Sequence, residues 1–227
     1  MDGVQAKTRM PDVQECCLER YERAEKGSAK MIRISATDLV SYQYWKNDEE
    51  SDLDELLRRL RHEEPPTRQM GAGNAFAKFM EHARPSSVES AEVDGWEFRF
   101  DLDATLPISP VRETKAEMVV QTPSGPVTLV GKVDGLHGQT VVDQKLTERW
   151  DAEKYFDSLQ WRVYLVMFSA VRFRYDVFVG RYRGNQVSIV EYHPMTFWRY
   201  PGIEEDVRLA VEELAEIITR HLPEKAA

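Results

Sequence analysis

The clearest alternation in the chain is GWEFRFDL at 95–102. Trp96, Phe98, Phe100 and Leu102 fall on one side and polar residues on the other, the period of a half-buried strand. Three more segments read as strands: ETKAEMVVQ (113–121), VTLVGKVD (127–134) and QTVVDQKL (139–146). Pro123-Ser124-Gly125-Pro126 supplies a turn between the first two, and Leu136-His137-Gly138 a tight connection between the second and third. RFRYDVFVG (172–180) and QVSIVEYH (186–193) read as a hairpin around Arg183-Gly184-Asn185.

Elsewhere the apolar positions recur every three or four residues. Pro11 to Glu15 looks like a helix start, with Val13, Cys17, Tyr21 and Ala24 at helical spacing. Ser35 or Thr37 is placed to cap a short helix carrying Leu39, Val40, Tyr42, Tyr44 and Trp45. The run NDEESDLDELLRRLRHEEPP predicts an exposed helix ended by Pro65-Pro66, and MGAGNAFAKFMEHA (70–83) a helix with Phe76, Met80 and Ala83 on one stripe. A helix is expected over about 152–170, with Phe156, Leu159, Val163 and Met167 on one face. Another opens at Pro201-Gly202, with Ile203, Val207, Ala210, Val211, Leu214, Ile217 and Ile218 in phase and Glu204, Glu205 and Asp206 in its first turn. The middle of the chain thus runs helix, three strands, helix, strand. The expected fold is α/β (α+β), a mixed sheet flanked by helices. The expected division is a helical extension over 1–69, a core over 70–193 and a second helical extension over 194–227.

Composition narrows the class. With 227 residues, 42% hydrophobic and 30% charged, the chain has enough apolar area for a core and is neither low-complexity nor fully disordered. No run reaches the roughly 18 apolar residues of a membrane span, so no membrane partner is expected. Cys16 and Cys17 are adjacent and cannot build a four-cysteine cluster, which fits a reducing cytoplasm (a host cell's, if the chain is phage-encoded). The net charge of -9 argues against indiscriminate coating of nucleic acid. The charge is uneven, however: Lys145 to Gly184 holds eight basic against five acidic residues, and Pro201 to Ala227 three against seven.

The chemistry concentrates in VTLVGKVDGLHGQTVVDQKLT. Asp134 ends one strand; Asp143 and Lys145 lie two apart in the next and share a face, as does Val141. A short hairpin places Asp134 beside Asp143, so two acids and a lysine converge where strands end. Carboxylate oxygens suit hard cations such as Mg2+ or Mn2+, which acidify a water and neutralise charge growing on a phosphate. A second acid-x-lysine triplet, Glu113-Thr114-Lys115, lacks an acid-ending strand upstream; Asp103 stands at plausible spacing, but the intervening segment is a poor strand. Gln160 and Tyr164, four apart, share a helix face about fifteen residues after Lys145.

GKVD, VVDQK and QWRVY, in that order, resemble the PD-(D/E)XK nuclease superfamily, specifically its RecB-like branch and within it the lambda-type phage exonucleases. The resemblance covers roughly residues 70–180. It implies Asp134 and Asp143 as metal ligands, Lys145 as the catalytic lysine, and Gln160 and Tyr164 as contacts to the active site or the DNA backbone. The histidine position usual in that branch aligns with Ala77, which cannot ligate; Glu81, one turn on, could replace it as a metal ligand, with His82 the other candidate. RISATDLVSYQYW looks like the branch's entry helix, without the cysteine that often follows. Glu117 could face the site or solvent. Arg162, Arg172 and Arg174 are candidates for DNA phosphate contacts, alongside Ser158, Arg181 and Arg183, and Trp45, Trp150, Trp161 and Trp198 for base stacking.

The activity expected from these residues is metal-dependent hydrolysis of DNA phosphodiesters, as an exonuclease of recombination or repair, with Mg2+ or Mn2+ as cofactor. DNA is the expected partner. A homo-oligomer, including a ring around DNA, and a recombination partner protein are both compatible with it. Three other readings stay open: a non-catalytic DNA- or protein-binding module on the same fold, a site-specific endonuclease, and a scaffold whose Asp/Lys pair is ordinary surface.

Overall fold

The structure, a computed structural model, describes residues 31–84, 88–102 and 105–226. The helix expected near 13–24, the two cysteines and Asp103 lie outside the described residues. In chain order the elements are β1 (Ile32–Ser35), α1 (Ala36–Asn47), α2 (Leu53–Leu60), α3 (Arg68–His82), β2 (Ser90–Val93), β3 (Trp96–Phe100), β4 (Val111–Thr122), β5 (Gly125–His137), β6 (Thr140–Thr147), α4 (Ala152–Asp157), α5 (Leu159–Met167), β7 (Arg172–Arg183), β8 (Gln186–Trp198), α6 (Ile203–His221) and α7 (Pro223–Ala226). One mixed sheet runs β1-β5-β6-β7-β8-β3-β2, with β4 along the other edge of β5.

Helices cover both faces, and the two packing clusters follow strand parity. Val141, Phe173, Tyr175 and Val177 point to the face that packs on α1, α5 and α6, joined there by Leu39, Trp161, Leu165, Val211 and Leu214. Phe178, Val187, Ile189 and Phe98 point to the opposite face and pack against Phe76 and Met80 of α3. The order α3, β4, β5, β6, α4/α5, β7 is the expected helix, three strands, helix, strand, with the β2–β3 hairpin inserted after α3.

Four departures from the sequence-based expectations have physical causes. Ile32–Ser35 is a strand, pairing in parallel with Val127–Val130; four residues are too few to show a period. Ser35 then caps α1, accepting from Asp38 N at 3.0 Å while Asp38 Oδ2 accepts from Ser35 N, a reciprocal capping box. The charged run at 47–66 shortens to α2, which buries Leu56, Leu57 and Leu60 rather than being solvated all round. The hairpin expected to stop at 193 runs to Trp198, so the boundary drawn there falls inside a strand. Pro194 is tolerated because β3 pairs only with 186–189, which leaves β8 a free edge beyond it. The single helix expected over 152–170 is two, broken at Ser158.

Candidate active site

β4 pairs with the whole of one edge of β5. The other edge of β5 is shared: β1 pairs with 127–130 and β6 with 135–137. Between them, residues 131–134 have no strand partner on that edge, and β5 and β6 part like a fork. Continuing the register Gly135↔Val142 by one step would set Asp134 directly opposite Asp143. Like charges facing one another across a ladder are destabilising, and the ladder ends there.

Side chains take over the orphaned backbone groups. Asp134 Oδ2 accepts the Gln144 backbone N–H at 2.7 Å, and the Tyr164 hydroxyl donates to the Lys132 carbonyl at 2.8 Å. Gly131 makes the second bond possible. A Cβ there would stand 2.8 Å from Tyr164 Cε1 and 3.1 Å from Met167 Sδ. The glycine of the Gly-x-x-Asp motif is therefore where the α5 tyrosine lies against the strand.

Asp143 is 3% exposed. Its Oδ1 accepts from Gln160 Nε2 at 3.2 Å; its Oδ2 lies 2.6 Å from Lys145 Nζ but takes no hydrogen bond of good geometry among the described residues. Burial pushes the Asp143 carboxyl up, against the pull of Lys145. Asp134 is pushed up to about 7, first by burial and then by the Asp143 charge. For Lys145 burial opposes the charge, yet Asp143 and Asp134 outweigh it and hold the ammonium above the ordinary lysine value. The result is a cation fixed beside two carboxylates that cannot comfortably both ionise. Asp143 lines a groove of about 900 Å³ with Asp134, Gln160 and Tyr164. Lys145 opens on a neighbouring hollow of about 280 Å³, walled by Tyr44, Lys154, Tyr155 and Tyr175.

The break at Ser158 aims α5. The Ser158 hydroxyl accepts from Gln160 N at 3.2 Å, capping the helix. Gln43 of α1 spans the break: its Nε2 donates to Asp157 O at 2.6 Å and its Oε1 accepts from Leu159 N at 2.7 Å. Gln160 then reaches Asp143, while its Oε1 accepts from the Tyr175 hydroxyl at 3.3 Å. Gln160 and Tyr164 thus hold the acid and the fork in place.

Glu81 and His82 also line the groove, as does Ala77. Among the described residues, however, no three histidine, cysteine or acidic side chains gather closely enough to hold a metal, so Glu81 does not join Asp134 and Asp143 as a third ligand in this geometry. Glu117 faces the groove mouth, tied to Arg33. The triplet set aside in the sequence reading also reaches the site. Register places Glu113 opposite Asp134; its backbone is left-handed (φ 53°), and its carboxylate pairs with Lys132. Arg33, Lys78, Lys115 and Lys132 line the same walls. Lys132 was legible, since it stands two residues before Asp134, the spacing that links Asp143 to Lys145. Arg33 and Lys78 are brought by β1 and α3, and no local pattern announces them.

The candidate phosphate contacts do not gather at the groove. Arg162 is engaged within α5, stacking on Trp161 at 4.3 Å and donating to the Asp157 and Ser158 carbonyls at 2.9 Å. Arg172 and Arg174 pair with Thr140 and Val142, the residues of β6 that alternate with Val141 and Asp143, and so stand on the opposite face of the sheet.

The site's donors fit a hard divalent cation. Such ions take oxygen ligands and are commonly held by one or two carboxylates with waters and substrate phosphate. The buried Asp143 and the half-buried Asp134 converge here, and the Asp143 Oδ2 lacks a hydrogen bond. No helix among the described residues is long and apolar enough to cross a membrane. No family model matches the chain, and no curated protein matches it. Among solved structures it is similar to the alkaline exonuclease LHK-Exo of Laribacter hongkongensis, at 14% identity over 88% of this chain and 95% of that one (TM-score 0.42). It is also similar to SSO0001, at 12% identity over 93% and 88% (TM-score 0.49). Rai1 of Scheffersomyces stipitis is a third, at 12% identity over 91% and 67% (TM-score 0.37). At such distances the roles of individual residues rest on this chain's own geometry.

Proposed function

We propose that the chain is a metal-dependent nuclease that hydrolyses DNA phosphodiester bonds, acting as an exonuclease in recombination or repair. The observation that carries this is the fork itself: a break in the sheet brings Asp134 and Asp143 together in a groove walled by both acidic and basic side chains, with Lys145 held beside Asp143. Asp134 and Asp143 would hold Mg2+ or Mn2+. When bound, the ion would lower the pKa of a water and offset charge on the phosphate. Lys145, about a third exposed, keeps its proton at neutral pH and supplies a positive charge beside the reacting phosphate, fixed in place by Asp143. Gln160 holds Asp143 in one rotamer, so the carboxylate needs no reorganisation when substrate arrives. Arg33, Lys78, Lys115 and Lys132 would bind flanking phosphates as positioning charges. A soluble enzyme of a reducing cytoplasm, phage-encoded or cellular, is part of this proposal.

The test is degradation of linear and circular duplex DNA with Mg2+ or Mn2+, with Lys145→Ala and Asp143→Ala beside the wild type. Loss of the linear form alone, absent in both variants, is the expected outcome. Cutting of the circle would make the protein an endonuclease. Absence of cleavage with DNA binding retained would leave a binding module.

A further inference from the structure

The sheet face opposite the fork is covered by α3 over β3, β8 and the later parts of β6 and β7, where Leu146 and Phe178 lie. Over the starts of β6 and β7 and the end of β8 it is open, and a hollow of about 470 Å³ lies there, walled by His137, Gln139, Thr140, Arg172, Arg174 and Thr196. We propose that this hollow, with Trp198 beside it, is a second binding site, for a single strand of nucleic acid, separated from the catalytic groove by the sheet.

Three observations carry it. The first is charge. The chain carries nine more acidic than basic residues, and the catalytic groove itself is lined by acids, yet no carboxylate lines this hollow. The nearest, Asp176, has no exposed surface; the Arg174 Nη2 and the Tyr192 hydroxyl take it up at 2.8 and 2.6 Å. Arg172 forms no ion pair among the described residues, so it presents a free positive charge. The second is the Arg174 side chain: its Nη2 holds Asp176 while 31% of its surface stays exposed at the hollow, so its outer edge is open to a phosphate oxygen. The third is the aromatic surface. Trp198 is 58% exposed, and the Arg172 guanidinium lies 5.3 Å over its ring. A strand of phosphodiesters presents what these groups bind, anionic oxygens for the arginines and the Thr140 and Thr196 hydroxyls, and flat bases for the open side of the tryptophan. An acidic protein segment would meet the arginines and leave the tryptophan without a stacking partner. The choice of nucleic acid rests in part on the proposed activity, but the binding does not require catalysis.

The experiment is fluorescence anisotropy with a labelled oligothymidine of roughly 12 nucleotides, in EDTA so that nothing is cleaved. Arg172→Glu is expected to weaken binding more than 10-fold and to flatten its salt dependence by about one unit of slope. Trp198→Ala should cost about 5- to 100-fold. Arg172→Lys and Trp198→Phe should keep most of the affinity, which separates recognition from misfolding. Unchanged affinity in Arg172→Glu and Trp198→Ala would overturn the proposal. So would polyglutamate displacing the oligonucleotide as well as unlabelled DNA does, since the site would then take acidic chains in general. A wild type that binds through Arg172 and Trp198 yet cleaves nothing when metal is restored would keep this site while removing the catalytic assignment.

Discussion

Two acid-x-lysine triplets lie in the same sheet, and only one has the surroundings of a reactive site. Glu113 to Lys115 is on β4, an edge strand; Lys115 is exposed and Glu113 is paired with Lys132. Asp143 to Lys145 is on β6, a central strand whose neighbour β7 is covered by α5; Asp143 is 3% exposed and locked to Gln160 and Lys145. The spacing is the same, and strand position decides the rest. The edge carboxylate keeps 22% of its side chain exposed and is neutralised by the half-exposed Lys132. A central one is desolvated, so its charge interacts strongly with a lysine, a metal or a phosphate.

The sharpest way to break the comparison is to exchange the roles. Asp143→Asn or Lys145→Ala is expected to lower DNA cleavage by at least about 100-fold, while Glu113→Gln or Lys115→Ala lowers it by less than about 10-fold. Single-turnover cleavage rates would measure both. A Glu113 loss as deep as that of Asp143 would mean that the edge triplet belongs to the machinery.

The next effect is on stability and pH. Asp134 titrates near 7 in the fold and near 3.8 when unfolded. Between those values Asp134 binds more proton in the folded chain than in the unfolded one, so its contribution to metal-free stability falls as pH rises from about 4 to about 7. The full shift would be worth about 4 kcal/mol; relaxation and partial exposure reduce this to about 2. Asp134→Asn keeps an acceptor for Gln144 N and removes the charge. Urea denaturation in EDTA should find this variant more stable than wild type at pH 8 and equal to it near pH 4. A difference between Asp134→Asn and wild type that does not grow from pH 4 to pH 8 would contradict the burial of charge at the fork.

Gly131→Ala probes the contact that keeps the fork open. Its Cβ meets the Tyr164 ring, and the expected loss is about 1–3 kcal/mol by chemical denaturation. At the edge triplet, Glu113→Gly should change stability by less than about 1 kcal/mol, because relief of the left-handed backbone offsets the entropy that glycine adds to the unfolded chain. A loss above about 2 kcal/mol would mean that the Glu113–Lys132 pair matters more to the fold than a half-exposed edge contact should.

Much of this was legible before any coordinates. Apolar runs bounded by turn residues placed the β4, β5 and β6 strands, and the two-residue spacing put Asp143 and Lys145 on one face. Gln160 and Tyr164 followed from helical spacing, although their helix is shorter than expected because Ser158 and Gln43 end one helix and begin another. What stayed hidden is non-local. The fork exists because β1, from near the start of the described chain, occupies part of the β5 edge that β6 would otherwise use. Arg172 and Arg174 were readable as charges but not as residents of the other face, since a strand's parity has no meaning until one residue, here Tyr175, is anchored to the site.

The most direct measurement is calorimetric titration of Mn2+ into the metal-free protein, with wild type, Asp143→Asn and Glu113→Gln side by side at pH 7.5. The expected result is binding to wild type and to Glu113→Gln, with the Asp143→Asn signal lost. Binding that survives Asp143→Asn, or that vanishes in Glu113→Gln alone, would contradict the assignment of the metal to the central strand.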